Sequence, residues 1–209
     1  MEHEYTLLGG INRAQVGRYI ATLASAVSAG AVLLLLTIWD AATAFGLRAD
    51  VPPVAFALVS AGVIYALIYW VFDRYAWRVP WISKALKVPN LAGVWRCKGQ
   101  TINPDRTLGY EWDATITIVQ SWDRFRVRLK TRQSSSNSRS AALLYDEADG
   151  FRLFYNYQNE PTVGEAELQP HLGFAELVFD HDLQSAEGEY FNGRGRYTFG
   201  TMHLTREEG

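Results

Sequence analysis

Cysteine is almost absent: Cys97 stands alone among 209 residues. No disulfide can close within the chain and no thiolate zinc site can be built, which fits a reducing compartment. Histidine is nearly as scarce, and His3, His171, His181 and His203 are scattered without metal-ligand spacing. No G-x-S-x-G, H-E-x-x-H or phosphate-loop motif occurs. An enzyme is therefore not expected, nor a cofactor or resident metal. A basic excess is missing too, since residues 90–209 carry thirteen Lys/Arg against seventeen Asp/Glu. That balance argues against a grip on a nucleic-acid polymer, whose affinity comes from neutralising many phosphates, yet leaves room for a small anion held by a few arginines.

Two long stretches lack charge altogether, Tyr19–Trp39 and Val51–Phe72. About 20 apolar residues rising about 1.5 Å each cover the hydrocarbon core, and lipid offers backbone groups no partner, so both stretches are expected to be membrane-spanning helices. The first also invites a signal-peptide reading through Ala42-Thr43-Ala44. Its apolar run exceeds the roughly 7–15 residues of a secretory core, which favours a span. No ionisable residue interrupts either run, so nothing suggests a proton relay. Small residues recur at four-residue spacing, Ala21, Ser25 and Ala29 in the first run and Ala57 and Ala61 in the second. Such faces let helices approach closely in lipid, either within one chain or between copies.

Charge at the ends of the runs sets the expected topology. Arg13 and Arg18 precede them and Arg74, Arg78, Lys84 and Lys87 follow, while Arg48 is the lone cation between. The positive-inside rule then puts both termini in the cytoplasm and makes 40–50 a periplasmic loop between a 19–39 and a 51–72 span, with residues 1–18 a cytoplasmic N-terminus. Tyr69, Trp70, Tyr75, Trp77 and Trp81 form an aromatic belt at the inner interface. Residues 73–90 hold a short basic amphipathic piece bracketed by Pro80 and Pro89, which either lies along the headgroups or serves as a linker.

From Leu91 the periodicity changes to two. DATITIV at 113–119, DRFRVRLK at 123–130, FRLFYNYQ at 151–158 and FAELVF at 174–179 read as strands, and 93–101, 140–146, 187–192 and 197–206 bring the number to about eight. The expected fold is two N-terminal transmembrane α-helices plus an all-β domain over 91–209, either a closed antiparallel β-barrel of about eight strands or a β-sandwich; the barrel removes exposed edges. A membrane β-barrel is excluded, because Arg124, Arg126, Arg128 and Lys130 occupy the face that would meet lipid. With Phe125, Val127 and Leu129 inward, those cations form a solvated outer face. Tyr155 and Tyr157 share the inward face with Phe151 and Leu153, as core or as the lining of a pocket. Near the C-terminus, Tyr197 and Phe199 are out of phase with Met202 and Leu204, so Gly200 is a candidate bulge. With a bulge, Arg194 and Arg196 sit at the rim; without one they point inward, where buried cations need an anion.

The order of parts, with L-A-G-V-W at Leu91–Trp95 and Y-F-N-G-R-G-R-Y-T-F-G-T at Tyr190–Thr201, resembles the SMODS-associated two-transmembrane β-barrel effectors of bacterial cyclic-oligonucleotide-based anti-phage signalling (CBASS). The resemblance implies an inner-membrane antiviral effector whose cytoplasmic barrel senses a cyclic oligonucleotide, a cyclic dinucleotide first of all, made by a cognate nucleotidyltransferase. It further implies homo-oligomerisation on activation and disruption of the bilayer, ending in cell death or growth arrest. The alternative is a constitutive membrane-anchored, lipocalin-like barrel holding an apolar or lipid-like ligand. For the cyclic nucleotide, guanidinium groups suit the phosphates and rings suit the bases. Arg194, Arg196, Tyr155, Tyr157 and Trp112 are the expected ligand-binding residues.

Overall fold

The computed structural model describes residues 1–46, 53–164, 168–193 and 196–207. Two compact units emerge: Ile11–Trp77, and Met1–Gly10 together with Arg78–Gly209.

The first unit is helical. Asn12 caps α1 (Arg13–Ala44), its side chain accepting from the Ala14 amide at 2.8 Å. The helix begins six residues before the expected 19–39 span and runs five beyond it, because nothing polar enough to stop a helix stands at either end of the apolar run. Among the described residues it is the one helix long and apolar enough to cross a bilayer. The expected second span differs more. Residues 51 and 52 lie outside the described residues, and the remainder is two helices, α2 (Pro53–Leu58) and α3 (Ala61–Arg74). The break falls at Val59–Ser60, where Ser60 is extended and its carbonyl accepts from the Ile64 amide at 3.1 Å. In lipid an interrupted helix must find partners for the freed backbone groups. Ser28 of α1 supplies one, donating its hydroxyl to the Val59 carbonyl at 2.6 Å. α1 and α3 pack together, Ile20 and Ala24 are buried, and Ala21, Ser25, Ala29, Ala57 and Ala61 remain exposed.

Among the described residues, the second unit is one sheet of nine strands. β1 (His3–Leu8) comes from the stretch expected to be a polar N-terminal segment, and it is the strand that sequence periodicity misses. After α4 (Pro80–Leu86) follow β2 (Gly93–Ile102), β3 (Leu108–Gln120), β4 (Arg124–Lys130), β5 (Ser134–Asp146), β6 (Gly150–Pro161), β7 (His171–Phe179), β8 (Ser185–Gly193) and β9 (Phe199–Arg206). Antiparallel pairing runs β4-β3-β2-β9-β8-β7-β6-β5, and β5 pairs with β4 in turn. β4 and β5 meet only around Arg128↔Asn137, since β5 shifts register between Ser138 and Ser140. β1 fills the opening, antiparallel to β4 at His3↔Phe125 and parallel to β5 from Tyr5↔Ala141. Ser138 bridges the irregular point, accepting from the Val127 amide at 2.9 Å and contacting His3 Nε2 at 2.7 Å.

Away from the register shifts, side chains alternate across the sheet, as a period of two requires. Phe125 and Val127 are buried while Arg124, Arg128 and Lys130 are exposed. Around the inside runs a row of registered neighbours, Tyr5, Ala141, Tyr155, Ala175, Tyr190, Gly200 and Thr101, in which large and small residues alternate so that the rings interleave. Gly200 is therefore not a bulge. Pairing continues through Phe199↔Ile102 and Gly200↔Thr101, Gly200 is buried, and only glycine fits there because a Cβ would sit 2.0 Å from the Gln100 carbonyl oxygen. The phase conflict resolves differently: Tyr197 and Phe199 are outward and exposed, Met202 and Leu204 inward and buried.

One end of the sheet is closed by the residues after α4, which the sequence left as headgroup segment or linker. Val88, Leu91, Trp95, Trp122 and Phe125 are fully buried there. Gln120 secures the closure, accepting from the Leu91 amide at 2.8 Å and donating to the Pro89 carbonyl at 3.0 Å. Arg206 lies over the Trp95 ring and donates to the Ala92 carbonyl at 2.6 Å. The opposite end is lined by polar side chains.

Candidate functional site

At that polar end, the inner faces of β3, β5, β6, β7 and β8 converge on a cavity of about 120 Å³. Trp112, Tyr155, Tyr157 and Arg196 all line it, so four of the five residues singled out from sequence meet at one place. Arg194 lies outside the described residues.

Local sequence dictates how each ring arrives. Tyr155 and Tyr157 are inward positions of β6, 4% and 9% exposed, with ring centroids 5.9 Å apart. Tyr157 fits because its cross-strand neighbour is Gly173, where a Cβ would lie 2.3 Å from the ring. Trp112 fits for the same reason: its partner is Gly99, and a Cβ there would lie 2.1 Å from the indole. The indole N–H donates to the Tyr190 hydroxyl at 3.2 Å, the rings meet edge to face at 5.6 Å, and Thr101 Oγ1 contacts the same hydroxyl at 3.1 Å. Tyr157 donates to Asn192 Oδ1 at 2.8 Å, and Asn192 donates onward to Thr198 Oγ1 at 2.9 Å. Trp112, Tyr157 and Tyr190 are thus held by hydrogen bonds in their present rotamers.

Arg196 sits in the segment between β8 and β9, half-buried, with its guanidinium donating to the Tyr110 hydroxyl. It is at the mouth of the cavity, not inside the sheet, although the sequence expected that placement only with a bulge at Gly200. The segment before β9 leaves the ladder instead, with Tyr197 in the left-handed region at φ 46°. The guanidinium belongs to the same electrostatic site, since it opposes the effect of burial on Tyr157 and adds to that effect on His171. Burial pushes the Tyr155, Tyr157 and Tyr190 hydroxyls up, so all three are neutral donors at physiological pH. Burial likewise lowers the His171 pKa, and Nδ1 of that ring donates to the Gln169 carbonyl at 2.9 Å.

Periodicity reading missed the polar half of the cavity: His171, Asn192, and Asn159 with Ser134 and Ser136. The phase signal for these was present. His171, Gly173 and Ala175 share one face of β7, and Tyr190 and Asn192 share one face of β8, but polar inward residues break the apolar alternation that marks a strand. Cys97, also inward, has its thiol pushed up to about 12 by burial and by Asp113, so it is unreactive. A wider hollow of about 1120 Å³ is lined mainly by outward-facing side chains, including Glu111, Asp113, Glu176, Glu187 and Glu189 against Lys98 and Arg152. Its acidic balance disfavours an anion.

A helical unit rich in membrane-type sequence joined to a β-sheet unit with an aromatic, arginine-flanked cavity defines a membrane-anchored small-ligand receptor. Residues 86–206 match the family described as Cap15, cyclic dinucleotide receptor domain, and residues 14–78 match Cap15, TM helices. The chain is also similar to CD-NTase-associated protein 15 of Yersinia aleksiciae, 45% identical over 206 residues, covering 99% of this chain and 98% of that protein. The chain belongs to the Cap15 family, a family of receptors and not of catalysts, and is a membrane protein of CBASS antiviral defence. The family resemblance read from Leu91–Trp95 and Tyr190–Thr201 is borne out.

Proposed function

We propose that the chain is a membrane-anchored effector whose sheet unit, working as a closed barrel, senses a cyclic dinucleotide, oligomerises and disrupts the inner membrane, causing cell death or growth arrest. A cognate nucleotidyltransferase supplies the messenger. The observation that carries this reading is the meeting of Trp112, Tyr155, Tyr157 and Arg196 at one cavity inside the segment matched by the receptor family. Arg196, with Arg194, takes the phosphates, and the rings take a base. The cavity is smaller than the roughly 300–1,000 Å³ of clefts that engulf drug-sized ligands, so one base enters while the phosphates stay at the mouth.

Topology supports the same reading. β1 precedes the helical unit and pairs in the same sheet as β4 and β5, which follow it. A chain that leaves and rejoins one sheet in this way is in keeping with a helical segment that crosses the bilayer an even number of times. In this reading α1 makes one crossing and α2 with α3 the other, and the basic flanks favour cytoplasmic termini.

The test is a thermal melt of the full-length protein in detergent micelles against a panel of cyclic dinucleotides and trinucleotides. A cyclic dinucleotide should raise the melting temperature, and Arg196→Ala should weaken its binding by about tenfold or more, since about 1.4 kcal/mol is tenfold and charge-assisted contacts exceed that. Normal binding by Arg196→Ala removes that residue from the site. If fatty acids raise the melting temperature and no cyclic nucleotide does, the lipocalin-like alternative stands instead.

A further inference from the structure

Asn159 is 6% exposed and lines the cavity, yet its Oδ1 is buried with no hydrogen-bond partner among the described residues. An unpaired buried acceptor is destabilising, so its presence in a receptor cavity requires a reason. Asn159 Nδ2 donates to Ser134 Oγ at 3.1 Å and to Ser136 Oγ at 2.9 Å. The amide nitrogen is committed to β5, and the carbonyl oxygen is turned away from those serines. Asn192, another amide in the lining, is occupied at both ends, accepting from Tyr157 and donating to Thr198.

We infer that Asn159 is a ligand-contacting residue that accepts a hydrogen bond from an N–H on the edge of the ligand base. This rests on the cavity being the cyclic dinucleotide site. Adenine, guanine, cytosine and uracil each carry such an N–H on the pairing edge, and a base analogue with acceptors alone does not. Because Oδ1 is shielded from solvent, the base meets it only as lining side chains shift, and no water competes for the bond. A site that leaves a buried polar group unpaired rejects the wrong ligand more strongly than a pocket judging size alone.

The experiment is titration calorimetry on the full-length protein in micelles. Cyclic dinucleotides of adenine, guanine and uracil are compared with analogues in which purine replaces adenine or guanine and pyrimidin-2-one replaces uracil. The unaltered protein should bind the analogue of its preferred ligand about tenfold or more weakly than the parent, and Asn159→Ala should bind parent and analogue equally. Equal binding of both by the unaltered protein overturns the inference and leaves the proposed function intact. So does an equal loss for both ligands in Asn159→Ala, which marks a structural role. Should that variant fail to show a native melt, the comparison of ligands on the unaltered protein decides alone. If the unaltered protein binds no cyclic dinucleotide, the proposed function fails and the inference with it.

Discussion

Gly173 and Tyr157 show how one missing methyl group makes a binding wall. Gly173→Ala puts a Cβ 2.3 Å from the Tyr157 ring, and the ring cannot retreat without losing its bond to Asn192. Overpacking of this kind costs about 1–3 kcal/mol; a lower urea midpoint with an unchanged slope would show it, and an unchanged midpoint would mean the sheet has room to relax. His171 gives a pH dependence of definite sign. Its pKa is lowered in the fold by burial and by Arg196, partly offset by its bonds to Gln169 and Asn192, so the unfolded chain takes up the proton first. Stability is complete above the ordinary value of 6.5 and is lost as pH falls through the lowered value. The melting temperature should drop between pH 7 and pH 5, and His171→Gln, which cannot titrate, should flatten that drop. At this scale Tyr155 and Tyr157 were legible because they alternate with polar residues in FRLFYNYQ. Asn159, two positions on and equally inward, was not, because a buried amide looks like a solvated one until its neighbours are known.

β1 carries the main lesson among the elements. Six residues, HEYTLL, have little alternation of their own and form a strand only because the shift between Ser138 and Ser140 opens a gap that needs filling. Tyr5 is 3% exposed and packs on Phe125 at 5.0 Å, so Tyr5→Ala should cost about 3–5 kcal/mol, the range for removing a large buried ring. Residues 90–209, which sequence alone presents as a self-contained domain, omit both β1 and α4. That fragment should melt below the sheet of the intact chain, and a synthetic peptide of residues 1–10 should raise its midpoint in circular dichroism. No change on adding the peptide would mean that β1 contributes little. The second span illustrates the opposite failure. Val51–Phe72 has the composition of one continuous helix, yet a serine on another helix stabilises the exposed carbonyl of Val59 and makes an interruption tolerable.

For the whole molecule, strands from before and after the helical unit share one sheet. A periplasmic reporter such as alkaline phosphatase fused after Gly209 should be inactive, and activity there would overturn the cytoplasmic placement. The exposed faces Ala21/Ser25/Ala29 and Ala57/Ala61 are free for contact between copies in the bilayer. Ser25→Leu adds bulk to the first of them, so it should spare cyclic dinucleotide binding while reducing ligand-dependent leakage from proteoliposomes. Leakage equal to that of the unaltered protein would remove this face from the assembly.

The sequence by itself determined that a membrane segment precedes a strand-rich domain, where eight of the nine strands lie, and which side of β4 faces water. Those properties follow from composition and period, which are local. Tertiary structure decided that β1 belongs to the sheet, that residues after α4 close one end, and that Trp112, Tyr155, Tyr157, Asn159 and Arg196 share one cavity at the other. Register between strands far apart in sequence sets which side chains become neighbours, and a hydrogen-bond partner more than a hundred residues away leaves no mark on the residues around it.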